Sequence, residues 1–134
     1  AFVLGRTSNP DADEIQEWPS SEKPLFGRVA ELVSQWAVGQ PGTVGLVAGA
    51  TDVEGLRRLR LGCPAMPFLI PGIGAQGGQL DAVLEAAHSP TGRVIVNSSR
   101  GIIYASSESD FAAAARQAAK TLREEVAGQL APKA

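Results

Sequence analysis

The stretch Pro67-Phe68-Leu69-Ile70-Pro71-Gly72-Ile73-Gly74-Ala75-Gln76-Gly77-Gly78 decides the fold, because a short apolar run empties into a loop in which four of eight residues, 71 to 78, are glycine. Such a loop lets backbone N–H groups approach an anion with no side chain in the way, which is the architecture of a phosphate grip. A second run supports it about 25 residues on, the spacing of one strand-helix unit. There Val94-Ile95-Val96 leads into Asn97-Ser98-Ser99-Arg100-Gly101, and the spacing predicts that the two loops lie side by side.

Outward from this pair the same unit repeats. Phe2 to Arg6 reads as a buried strand stopped by Thr7-Ser8-Asn9-Pro10. The polar segment from Asp11 to Lys23 reads as loop with room for one helical turn. Phe26, Val29, Leu32, Val33 and Trp36 recur at helical spacing, so Pro24 to Val38 is expected to be an amphipathic helix with these residues inward. Thr43 to Ala48 is the next strand. Thr51-Asp52 caps a helix from Val53 to Leu61, with Leu56 and Leu59 inward. Phe68 to Ile70, a helix through Leu80, Val83, Leu84 and Ala87, the strand Arg93 to Val96, a Ser-Ser-Arg-Gly loop and a long alanine-rich helix from Ser107 to Leu130 complete the chain.

Strand and helix therefore alternate four times, and continuously apolar strands predict a parallel sheet buried on both faces. An open doubly wound sheet and half of an eight-stranded barrel both fit. The polar clusters all fall at the C-terminal ends of strands, and the phosphate-type loops are the last two, as at strands seven and eight of a barrel. We expect an α/β chain forming the C-terminal half, strands five to eight, of a (β/α)8 barrel.

At 134 residues and 44% hydrophobic content the chain has enough apolar surface for one core, and its domain count is one or less. A net charge of −2, with Arg57, Arg58 and Arg60 read as one solvated helix face, argues against nucleic acid as a partner. The single cysteine, Cys63, reads as a small buried residue, and the single histidine, His88, as the end of a helix. No metal site follows from them. No leader-like or membrane-spanning apolar run occurs, so the expectation is a soluble cytoplasmic protein without membrane contact. The start at Ala1, almost inside a strand, reads as a fragment or one piece of a split chain.

For chemistry, Arg100 between Ser99 and Gly101 offers a guanidinium fork beside backbone donors, suited to a phosphate dianion or, in a plainer reading, to a helix carboxylate. Gln76 adds an amide. Thr7, Ser8 and Asn9 either bond a polar ring or make an ordinary turn, and Arg6 reads as a strand-end surface or salt-bridge residue. The glycine pattern departs from the dinucleotide fingerprint and from the triphosphate-binding loop. The only lysines are Lys23, Lys120 and Lys133, and no carboxylate lies within a strand. A binding half-site is present, without a group for acid-base work.

In this order, FVLGRTSNP, GLVAGAT, FLIPGIGAQGG and VIVNSSRGIIYAS resemble the second half of orotidine 5'-phosphate decarboxylase, in its bacterial type with Thr-Ser-Asn-Pro. The resemblance covers essentially the whole chain. It implies a homodimeric barrel that converts orotidine monophosphate to uridine monophosphate and carbon dioxide in pyrimidine synthesis, with no metal and no cofactor. It implies that Ser99, Arg100 and Gly101 bind the 5'-phosphate and that Gln76, beside Gly74, bridges toward the pyrimidine. Thr7 or Ser8 would contact the base, Pro71 and Ile73 would wall the departing carboxylate, and Gly77 to Gln79 would belong to a lid. The family's catalytic lysine and aspartate residues come from earlier strands, so the missing N-terminal half-barrel is an expected partner. Asp11-Ala12-Asp13 is more acidic than the family pattern. A sugar-phosphate decarboxylase or isomerase and a non-catalytic phosphate-binding half-barrel remain alternatives.

Overall fold

The structure, a computed structural model, describes residues 1–73 and 80–130. Four strands, β1 (Phe2–Arg6), β2 (Gly45–Ala48), β3 (Phe68–Pro71) and β4 (Val94–Asn97), form one sheet in the order β1-β2-β3-β4, all parallel. The connections are helical: α1 (Ala12–Gln16) and α2 (Leu25–Ala37), then α3 (Val53–Gly62), then α4 (Leu80–Ala87). After β4 come the short α5 (Ser99–Ile103) and the long α6 (Phe111–Leu130). Sequential order without a reversal is half a barrel rather than a doubly wound sheet, whose strand order turns back at a switch point.

The core lies between the sheet and the helices α2, α3 and α4. Leu46 pairs with Phe68, and both are fully buried beneath Phe26, Leu56 and Val83. Cys63 is buried in the same core, as expected. The other face departs from the expectation of burial on both sides. Leu4, Val47, Leu69 and Ile95 form one row across the four strands, and Leu4 is 63% and Ile95 46% exposed. These residues are apolar enough for the interior of a closed barrel, but four strands leave that face uncovered.

Two features of the helices also differ from the sequence expectation. Trp36 is 57% exposed, since the last turn of α2 runs past the edge of the core while Phe26, Ala30 and Val33 are buried. The three arginines do not share a solvated face. Arg60 is buried: Nε donates to Ala87 O at 2.6 Å, and Nη1 to Cys63 O at 3.0 Å and Met66 O at 2.7 Å. Its guanidinium lies 3.7 Å from the Phe68 ring centroid. Ala87 ends α4 and Cys63 caps α3, so the cation sits where the negative ends of two helix dipoles converge. Burial lowers its affinity for its proton.

The long helix begins at Phe111 rather than Ser107. Ser106 Oγ accepts from the Glu108 N–H at 3.1 Å and donates to Asp110 at 2.6 Å, which spends the preceding residues on a turn. α6 packs on α5 and α4 through the half-buried stripe Ala114, Ala118, Leu122 and Val126. No described helix is long and apolar enough to cross a membrane.

Candidate functional site

Every polar cluster singled out above that the structure describes lies at the C-terminal edge of the sheet, at its two ends. At the β3–β4 end, Pro71 pairs with Asn97, and the Gly72 N–H donates to Asn97 O at 3.2 Å. Gly72 then turns with φ of 87°, a conformation that favours glycine, and Ile73 beyond it is buried. Of the expected binding residues, Gly74, Gln76 and Gly77, with the lid through Gln79, lie outside the described residues. The loop after β4 is not a loop. Ser98 is the N-cap of α5, so Ser99, Arg100 and Gly101 form its first turn, where N–H groups lack intrahelical acceptors. A Cβ on Gly101 would stand 2.8 Å from Ser98 Oγ, so glycine lets the cap residue close over the turn. Arg100 is exposed and makes no ion pair among the described residues, against the plainer reading of a helix carboxylate partner.

At the β1 end the structure changes the reading of Arg6. The pairing Leu4 with Val47 is followed by Arg6 with Ala48, so Gly5 is an extra residue and β1 is bulged. The bulge turns Arg6 to the helix side of the sheet, where it is 3% exposed. Arg6 Nε donates to Asp52 at 2.8 Å, and Nη2 lies 2.7 Å from Asp13 and 3.4 Å from Glu17. It is a salt-bridge residue, but a buried one. Asp52 also accepts from the Gly55 N–H at 2.9 Å as the N-cap of α3, so one carboxylate joins two elements. The unexpected acidity around Asp13 thus has a structural cause.

Thr7 and Ser8 follow directly and are half-buried. The Thr7 N–H donates to Gln16 Oε1 at 3.1 Å, and Gln16 Nε2 donates to Thr7 Oγ1 at 2.5 Å. The Thr7 hydroxyl in turn donates to the Asn9 side chain. Sequence reasoning read Asp52 only as a helix cap and missed Asp13, Gln16 and Glu17 as partners of Arg6 and Thr7. Their signal was available, since residues 13, 16 and 17 share one face of a helical turn.

The ends differ in electrostatics. A cavity of about 660 Å³ beside β1 is lined by Arg6 and Arg58 but also by Asp11, Asp13, Glu17, Asp52 and other acids, which disfavours a phosphate there. A cavity of about 540 Å³ beside α5 is lined by Ile73, Ser98, Gly101 and Ile102 with residues of α6; Arg100 lines neither. Three strand spacings, about 14 Å on a flat sheet and less on a curled one, separate the ends. A ligand with an anionic tail and a polar ring suits that division. Among the described residues, no three His, Cys, Asp or Glu side chains are placed to hold a metal ion, and no strand carries a lysine or carboxylate.

No family model matches the chain. Among curated proteins it is 46% identical over 128 residues to the orotidine 5'-phosphate decarboxylase of Delftia acidovorans, covering 92% of this chain and 46% of that protein. It is likewise 46% identical over 138 residues to the enzyme of that name from Thermomicrobium roseum, covering 96% and 49%. Among solved structures, Leishmania donovani UMP synthase superposes with a TM-score of 0.79 at 40% identity, over 99% of this chain and 28% of that one. Leishmania donovani OMP decarboxylase gives 0.76 at 36%, over 96% and 46%. The chain spans about half the length of the curated relatives it matches. By sequence and by its half-barrel fold, the chain is similar to the orotidine 5'-phosphate decarboxylases over about half of one of their barrels.

Proposed function

We propose that this chain is the C-terminal half-barrel of an orotidine 5'-phosphate decarboxylase, the half that grips the phosphate and the base of orotidine monophosphate. The observation that carries the reading is Arg100, exposed and without a carboxylate partner among the described residues, on the first turn of the helix that follows β4. Its fork, with the N–H groups of Ser99 to Gly101, offers charge-assisted donors to a phosphate dianion. Gln76, Gly74 and Gly77 would complete the grip, Pro71 and Ile73 would form the apolar wall, and Thr7 or Ser8 would meet the base.

Loss of carbon dioxide leaves a carbanion on the ring, and binding energy from the distant phosphate serves to orient the reacting end. Arg100 should therefore affect rate as well as affinity. Strands without lysine or carboxylate require the acid-base residues to come from an N-terminal half-barrel, the expected partner within one decarboxylase domain. The homodimeric, cytoplasmic enzyme that the family resemblance implies belongs to the same proposal.

The test follows the ultraviolet absorbance of orotidine monophosphate with this chain and an N-terminal half-barrel, together and apart. Turnover is expected only with both halves, and binding without turnover would favour a non-catalytic phosphate-binding module instead. Arg100→Ala is expected to weaken uridine monophosphate by about 1.5–3 kcal/mol, roughly ten- to hundredfold. Unchanged affinity in that variant would remove the phosphate assignment.

A further inference from the structure

We infer that Gln16 is a positioning residue that sets which nucleotide ring the Thr7-Ser8 strand end accepts. The inference rests on the proposed nucleotide site and adds a residue from outside the strand ends. The bulge at Gly5 sends Arg6 into the helix layer, so the residues that follow leave the sheet without a ladder partner for the Thr7 N–H. Gln16 replaces that partner. Its amide accepts from the Thr7 N–H at 3.1 Å and donates to the Thr7 hydroxyl at 2.5 Å, fixing backbone and side chain together.

Only an amide performs both tasks at once, because a carboxylate accepts but cannot donate. With Gln16 donating, the Thr7 hydroxyl is left to donate toward Asn9, so the hydrogen-bond direction along the loop is set from α1. α1 buries no residue of its own and is held by polar contacts: Asp13 and Gln16 to Arg6, Gln16 to Thr7, and Glu17 to Arg58 at 3.3 Å. A helix held this way serves as a clamp on the loop rather than as part of the core. Fixing the donor and acceptor pattern of Thr7 is what lets a half-buried polar edge reject a ring with the wrong pattern.

The test titrates the chain, as wild type, Gln16→Ala and Gln16→Glu, with uridine monophosphate and separately with ribose 5-phosphate, which carries the anion but no ring. Amide exchange at Thr7 is read in the same samples. Gln16→Ala is expected to weaken uridine monophosphate about tenfold, the loss of one to two net hydrogen bonds, to leave ribose 5-phosphate unchanged and to expose the Thr7 N–H to exchange. Gln16→Glu is expected to keep the Thr7 N–H protected but to recover ring affinity only in part. Equal weakening of both probes, or no weakening of either, overturns the role of Gln16 while the phosphate reading stands. Wild type that binds neither probe overturns the nucleotide reading, and the selecting role of Gln16 with it.

Discussion

Two arginines, Arg6 and Arg60, show what a one-letter reading of charge conceals. Arg60 sits in a helix with Arg57 and Arg58, and charge alone groups the three on a solvated face. The fold buries it because the ends of α3 and α4 and the turn before β3 leave carbonyls that need a donor, and a guanidinium with several N–H groups meets three of them over the Phe68 ring. Replacing Arg60 with methionine fills the space but strands those acceptors, so Arg60→Met is expected to lose about 2–4 kcal/mol of stability. Urea unfolding measures it, and a loss below about 0.5 kcal/mol, typical of a surface site, would show that the carbonyl cage stabilises nothing. Arg6 was legible as a salt-bridge residue and not as a buried one. Its burial follows from a bulge, a backbone event between strands that leaves no mark in the residue pattern of β1 alone.

At the scale of elements, the helices with a strong apolar stripe and a capping residue were the legible ones. Asp52 as the cap of α3 and Leu56 and Leu59 as its inward residues came directly from spacing, and the structure agrees. α5 was not legible, because Ser, Arg and Gly in sequence favour a turn, and one turn of helix forms there only with α6 packed against it. Asp52 joins two elements, capping α3 and pairing with Arg6. Asp52→Asn keeps an acceptor for the Gly55 N–H and removes the charge, whereas Asp52→Ala removes both. Thermal or urea unfolding is expected to show a loss of about 1–3 kcal/mol for the alanine variant and a clearly smaller one for asparagine. Equal losses would mean that the ion pair with Arg6, not the cap, accounts for the effect.

For the whole molecule, the decisive feature is the uncovered row Leu4, Val47, Leu69 and Ile95, with β1 and β4 each paired on one side only among the described residues. Alone, the chain is expected to bind a hydrophobic dye such as anilinonaphthalene sulfonate and to self-associate with rising concentration. An N-terminal half-barrel is expected to abolish both. Dye binding that persists in a catalytically active mixture would mean that the row is not the closing interface. The local pattern of the chain determined the order of strands and helices, their parallel arrangement and the collection of polar loops at one end, because apolar periodicity, caps and glycines act within a few residues of themselves. Burial of Arg6 and Arg60, the helical turn that carries Arg100, the Gln16 clamp on Thr7 and the openness of one sheet face were decided by tertiary structure. Each depends on which groups distant in sequence arrive beside one another, and neither spacing nor composition carries that information.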